Sequence, residues 1–204
     1  MPSQPPASDR QAVARAVAGL LRALGLDEAD EPELAETPSR VADLYAELFS
    51  GLDAGAIPEL STFPHTGGRG TGPGMDLVVV RDLPFHSLCV HHLLPFFGNA
   101  HIAYLPRERL MGISGAARLL EHYARRPQLQ ERLTTQVADH LERLVAPRGV
   151  AVVLEARHLC MEMRGIRKTA WVETRVVRGE LADPRWASVL PPVRGEAAAP
   201  GPDR

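Results

Sequence analysis

The sequence is short of the features that mark several protein classes. Two cysteines in 204 residues, Cys89 and Cys160, cannot build the dense disulfide framework of a small secreted domain. Long apolar runs are missing. The most apolar early stretch, Val13 to Leu24, is broken by Arg15 and Arg22, so it is no membrane span. The opening Met1-Pro2-Ser3-Gln4-Pro5-Pro6 has neither a basic n-region nor an apolar h-region. A basic excess is missing too: 23 basic against 25 acidic residues leave a formal charge of -2, which gives no electrostatic reason for a nucleic-acid partner. Lysine is nearly absent, with Lys168 alone against 22 Arg. Abundant Ala, Gly and Pro point to codon composition as the source of that bias. An arginine here is therefore not by itself a sign of bidentate anion binding. These absences predict a cytoplasmic chain with no membrane and no nucleic acid among its partners.

What is there reads as one globular domain with appendages. Hydrophobic residues make up 45% and charged residues 24%, enough to bury a core without staples. Residues 1–8 and a tail at 183–204 are Pro-, Ala- and Gly-rich without apolar periodicity and are expected to be disordered. An N-terminal helical segment is expected over 9–55. Val13, Val17, Leu20, Leu21 and Leu24 fall at helical spacing, with Gly25 as the stop. A second helix is expected to start with Thr37 as N-cap and Pro38 at N1, and carries Val41, Leu44, Tyr45 and Leu48 as its apolar stripe. The main domain is expected over 56–182, with a flexible glycine-rich loop at 64–74. Strands are expected at Met75 to Leu83, Phe96 to Leu105, Gly149 to His158 and Trp171 to Leu181. Helices are expected at Ser114 to Arg126 and Gln130 to Val145. The order β-β-α-α-β-β predicts an α+β fold, helices on one face of an antiparallel sheet.

Both cysteines sit beside histidines. The first cluster is Cys89-Val90-His91-His92 and the second is His158-Leu159-Cys160. A turn at Cys-x-x-His spacing brings thiolate and imidazole together. An extended backbone would put His158 and Cys160 on one face of a strand. Each cluster follows a strand pattern, so each is expected at a strand end. Two Cys with one or two His give three good ligands and a vacancy, which suits catalytic rather than structural zinc. Histidines left over would serve as acid and base near neutral pH. Taken singly, each residue has an ordinary reading as well: a small buried thiol, a satisfied histidine, a solvated helix charge.

The stretch Pro84-Phe85-His86-Ser87-Leu88-Cys89-Val90-His91-His92-Leu93-Leu94-Pro95-Phe96-Phe97-Gly98 resembles the signature of GTP cyclohydrolase I. So do Ala100 to Pro106, Gln130-Glu131-Arg132-Leu133-Thr134 and His158-Leu159-Cys160-Met161-Glu162-Met163-Arg164-Gly165. Upstream, Glu36-Thr37-Pro38-Ser39-Arg40-Val41 and Glu47 to Gly51 resemble the family's helical segment. The resemblance implies the tunnelling fold and a toroidal homodecamer with active sites between subunits. It implies Cys89, His92 and Cys160 as zinc ligands, and His91 and His158 as the proton-moving histidines. It implies Glu131, with Gln130, as the guanine anchor. Ser114, Arg118, Arg164 and Arg40 are implied as triphosphate contacts. The implied reaction opens the imidazole ring of GTP at C8, releases formate and yields 7,8-dihydroneopterin triphosphate, on the route to tetrahydrofolate and other pterins.

Three positions depart from the family pattern. Val90 stands where a glutamate is common. Gly115 stands where a lysine of the triphosphate set is usual. Residues 168–175 replace a Ser/Thr-rich run. Two alternatives to the implied activity therefore stand: a paralogue with altered purine-nucleotide specificity or weak triphosphate binding, and a non-catalytic oligomeric binding module.

Overall fold

The computed structural model of the chain describes residues 9–26, 29–53, 59–65 and 76–189. The expected disordered segment 1–8 and nearly all of the glycine-rich loop lie outside these residues. Where the tail was expected to begin, Pro184–Val189 forms 3-10 turns, and residues from 190 onward again lie outside.

Two helices lead. α1 (Arg10–Ala23) is capped by Asp9, whose carboxylate accepts from the Ala12 N–H at 3.0 Å. Gly25 takes the left-handed φ of 78° that ends it. α2 (Thr37–Leu48) starts one residue earlier than its sequence cap suggests, because Glu36 rather than Thr37 occupies the N-cap and Pro38 falls in the second helical position. Arg10 of α1 pairs with Asp43 of α2 at 2.9 Å. α1 buries no residue, and Leu20, Leu24 and Leu44 stay exposed.

The main domain is built on a five-stranded sheet of order β5-β2-β3-β6-β7. Its strands are β2 (Val78–Cys89), β3 (Pro95–Leu105), β5 (Pro127–Gln128), β6 (Gly149–His158) and β7 (Trp171–Gly179). A separate two-stranded ribbon pairs β1 (Thr62–Pro64) with β4 (Arg109–Met111). The four long strands are antiparallel, as the sequence pattern implied. The two-residue β5 was not foreseen, and it runs parallel to β2. α3 (Ile113–Ala124) and α4 (Gln130–Val145) cover one face. Phe85, Phe96, Ile102, Tyr104, Val152 and Leu154 from the sheet meet Leu119, Leu120, Leu133, Val137 and Leu141 from the helices in one core. A one-residue bulge between Val80 and Leu83 lets β2 change register against β3, with Asp82 at φ 54°. Below the bulge Leu83, Phe85, Ser87 and Cys89 alternate on the helix face. Ser87 Oγ there donates to the Ala124 carbonyl at 2.7 Å and ties the end of β2 to the end of α3. Among the described residues, no helix is long and apolar enough to cross a membrane.

Candidate active site

Both Cys/His clusters lie at strand ends, those of β2 and β6, which flank β3 in the sheet. Cys89 is the last residue of β2. The chain then turns sharply: the Leu93 N–H donates to the Cys89 carbonyl at 2.8 Å, and the Cys89 N–H donates to the Leu94 carbonyl at 2.9 Å. Leu93 adopts φ 52° to close the turn. The Val90 N–H donates to the Gln128 carbonyl at 2.9 Å, so the short parallel strand β5 fixes where this turn sits. His91 and His92 project from it with Nδ1 at 3.7 and 4.0 Å from Cys89 Sγ.

His158 ends β6, and register pairs it with Phe96 on the next strand. Its ring stacks parallel on the Phe96 ring at 4.7 Å. Cys160 arrives differently from the sequence expectation. Strand alternation does not carry it, because the backbone turns helical at Leu159. Cys160 sits on a single turn, α5 (Leu159–Glu162), and that turn swings it towards β2. One ligand atom from each of Cys89, His92 and Cys160 then lies within 4.8 Å of the others. A tetrahedral zinc with bonds near 2.1–2.3 Å needs its ligand atoms about 3.5–3.8 Å apart, so a contraction of at most about 1.3 Å completes the site. The donor set fits zinc: two thiols and an imidazole, with room for a fourth ligand. Burial and the neighbouring Cys89 sulfur push the Cys160 thiol pKa up, and a cation between the two sulfurs reverses that crowding.

Gln130 opens α4 beneath His158 and is buried. Its Nε2 donates to the Leu154 carbonyl at 3.0 Å, the Val172 carbonyl at 2.9 Å and Thr174 Oγ1 at 3.2 Å. That leaves its Oε1 facing His158 Nε2 at 2.7 Å. Three acceptors fix which way the amide points, so His158 Nε2 carries the proton and Nδ1 the lone pair. Both amide N–H groups of Gln130, expected with Glu131 at the guanine, are thus used within the fold. Burial lowers the His158 pKa, opposed by the Glu131 and Glu162 carboxylates. Glu131 itself is exposed in the first turn of α4, near enough to His158 to be felt electrostatically. Arg164 is exposed and close enough to Cys160 to act on its thiol.

The remaining expected residues are not gathered here. Ser114 is the second helical residue of α3, whose cap is Gly112. Ala124, at the other end of α3, is the residue tied to β2 beside Cys89. Ten residues of helix put Ser114 roughly 15 Å along the axis from that end. Arg118 lines a separate open cavity of about 540 Å³ with Ser50, Gly51, Glu121 and Arg125. Arg40 is exposed on α2 and pairs with Glu36 at 2.5 Å. Sequence reasoning missed Phe96, Thr174 and the Arg157–Glu162 pair around this site. Only the strand register, which pairs Phe96 with His158, could have pointed to the first.

A GTP cyclohydrolase I family model matches residues 13–189, nearly the whole described chain. This chain belongs to the GTP cyclohydrolase I family. It is 46% identical over 173 residues to the GTP cyclohydrolase 1 of Thermoanaerobacter pseudethanolicus, covering 84% of this chain and 88% of that one. It is 43% identical over 180 residues to the enzyme of Streptococcus agalactiae, covering 87% and 92%. The apo archaeosine synthase QueF-like protein, a solved structure, matches at TM-score 0.37 with 20% identity, over 48% of this chain and 91% of that one. The Cys89, His92 and Cys160 group is the zinc-type donor set of a GTP cyclohydrolase I.

Proposed function

We propose that this protein hydrolyses GTP, opening the guanine imidazole ring at C8, releasing formate and forming 7,8-dihydroneopterin triphosphate. The observation that carries the reading is the convergence of Cys89, His92 and Cys160, with His158, oriented by Gln130, two residues from Cys160. Those three residues would hold zinc, which when bound supplies Lewis acidity and an activated water. His158, braced by Phe96 and Gln130, offers Nδ1 as the atom that takes and returns a proton. His91 lies on the exposed side of the Cys89 turn and serves as the second proton carrier. Glu131 accepts the N1–H and exocyclic amine of guanine. It stands exposed in the first turn of α4, where the helix N-terminus favours a carboxylate over a neutral or basic side chain.

Phosphate binding is assigned to Arg164 of the same chain and to Ser114, Arg118 and Arg40 of neighbouring copies. The separation of Ser114 from Cys89 within one chain supports that division. So do the exposed leucines of α1 and α2, which a single chain leaves uncovered. The protein is accordingly read as a homo-oligomer, a decamer by family resemblance.

A second reading, altered nucleotide preference, rests on Gly115. It is buried in α3, and a Cβ there would lie 2.6 Å from Met111 Cγ. Met111 thus fills the space where a side chain would leave the helix, and the position supplies no charge. The assay is formate release and pterin fluorescence from GTP, GMP and guanosine with zinc-loaded protein. GTP turnover that stops in Cys89→Ala is expected. A preference for GMP or guanosine would favour the second reading. No formate from any of them, with about one metal per chain, would leave only a binding module.

A further inference from the structure

Cys160 stands on a helix of four residues, far too short to be stable alone. Its cap residue, His158, makes no side-chain hydrogen bond to the turn. Two backbone bonds close the turn, from the Met163 N–H to the Leu159 carbonyl at 3.0 Å and from the Lys168 N–H to the Met161 carbonyl at 3.1 Å. Beyond it, residues 163–169 are exposed, with Gly165 at φ 60° and Arg167 at φ 49°. The turn thus has little fixed structure on its outer side. On its inner side one contact spans it. Arg157, the residue before His158, meets Glu162, the last residue of the turn, fork to fork. Nε donates to Oε1 at 2.9 Å and a terminal nitrogen donates to Oε2 at 2.5 Å. The Glu162 side chain is only 10% exposed but that of Arg157 is 37% exposed, so the weight of the pair lies in its two-point geometry rather than in burial.

The placement of this pair gives it a consequence for the metal site. Arg157 is anchored in the sheet, opposite Phe97 on β3 and Trp171 on β7. Glu162 is anchored only through the turn. His158 and Cys160 both lie between the two. A planar guanidinium bound to both carboxylate oxygens fixes orientation as well as distance, which a single contact cannot do. The rotation of α5 about the end of β6 decides whether the Cys160 sulfur points at Cys89 or away from it.

We infer that Arg157 and Glu162 are positioning residues that lock α5 to β6 and so set the metal affinity of the Cys160 ligand. This rests on the reading of Cys89, His92 and Cys160 as a zinc site. Partners that orient metal ligands without touching the metal typically contribute about tenfold to a hundredfold in affinity.

Charge and geometry make opposite forecasts for Arg157→Gln, which makes the inference testable. Were the pair acting only through its field, Glu162→Gln would weaken binding of a cation and Arg157→Gln would strengthen it. A lock requires both substitutions to weaken it. The measurement is zinc affinity of the full-length protein by competition with a chromophoric chelator, with far-UV circular dichroism to show that each variant is folded. Expected are losses of at least about tenfold for each single variant and substantial recovery in the exchanged pair R157E/E162R. Tighter zinc binding by R157Q, or unchanged affinity in either folded single variant, would overturn it. Cys160→Ser is the separate control. If it retains zinc at wild-type affinity, the ligand assignment itself fails, whatever the pair does.

Discussion

Gln130→Met replaces a buried amide by an apolar side chain of similar length, and its effects follow from the four contacts it removes. Thr174 Oγ1 keeps a partner in Thr134 at 2.6 Å, so little is lost there. The Leu154 and Val172 carbonyls and the His158 N–H are left without their amide partner. Each stranded buried group costs about 1–3 kcal/mol. His158 is only half-buried and can turn towards water, so the low end applies. Three groups then give a loss of about 3 kcal/mol, or a fall in Tm of roughly 6–12 °C for a domain of this size. The kinetic effect is larger in kcat than in KM. His158 loses the contact that sets its tautomer, and misplacement of a reacting group by about 1 Å can cost roughly 100-fold in rate. Gln130→Glu keeps an acceptor for His158 but confronts three oxygen acceptors with a carboxylate. The added negative charge raises the His158 pKa, so the acid limb of the kcat profile moves to higher pH. Steady-state formate release and a thermal melt of each variant read both quantities. A Gln130→Met enzyme with an unchanged melt and unchanged kcat, but a raised KM, would refute the bracing role and return Gln130 to the guanine.

Two further outcomes concern other parts of the chain. Gly115→Lys is expected to destabilise the protein by about 1–3 kcal/mol through the close approach to Met111, an effect that the gain in helix propensity offsets only in part. In the folded variant the KM for GTP should fall while that for guanosine stays fixed. Chemical denaturation compared with a Gly115→Lys/Met111→Ala double variant tests the steric cause. His101 is buried on the sheet face away from the helices. Its Nδ1 accepts from the Asp82 N–H at 3.3 Å, and its Nε2 lies 3.9 Å from Glu155. Burial lowers its pKa, and the Asp82 and Glu155 carboxylates counter this in part. The unfolded chain therefore takes up this proton first as pH falls. Stability from this residue is complete above the ordinary histidine pKa of about 6.5 and is lost as pH falls through the lower folded value. His101→Gln should flatten that slope in denaturation curves taken from pH 7.5 to 5; an unchanged slope would show that other groups set it.

The helix and strand periods in the sequence placed the long elements, except that β2 was expected to end at Leu83 and runs on through Pro84 to Cys89. α4 and β6 match the expected ranges to the residue, because Leu133, Val137 and Leu141 repeat at helical spacing and Val150, Val152 and Leu154 alternate. The sequence also determined which residues could bind a metal, since the only two cysteines each carry a histidine neighbour. The parts it left open depend on contacts distant along the chain. β5 is two residues long and has no period of its own; it exists because β2 offers it a ladder. The N-terminal boundaries of α2 and α3 each moved by one residue, since caps are settled by local backbone geometry that residue preference only biases.

The site divides in the same way. Donor identity is a property of residue type, so Cys89, His92, Cys160, His91 and His158 were legible from sequence. Their convergence is a property of the sheet. Register places His158 against Phe96, and a four-residue helical turn, rather than strand alternation, aims Cys160 at Cys89. Gln130 shows the limit most clearly. Its place beside Glu131 marked it for the site. Only the three acceptors brought in by β6 and β7 decided that its amide faces inward and braces a histidine. Sequence fixes the chemistry each side chain can perform, whereas hydrogen-bond direction depends on neighbours brought close only by folding.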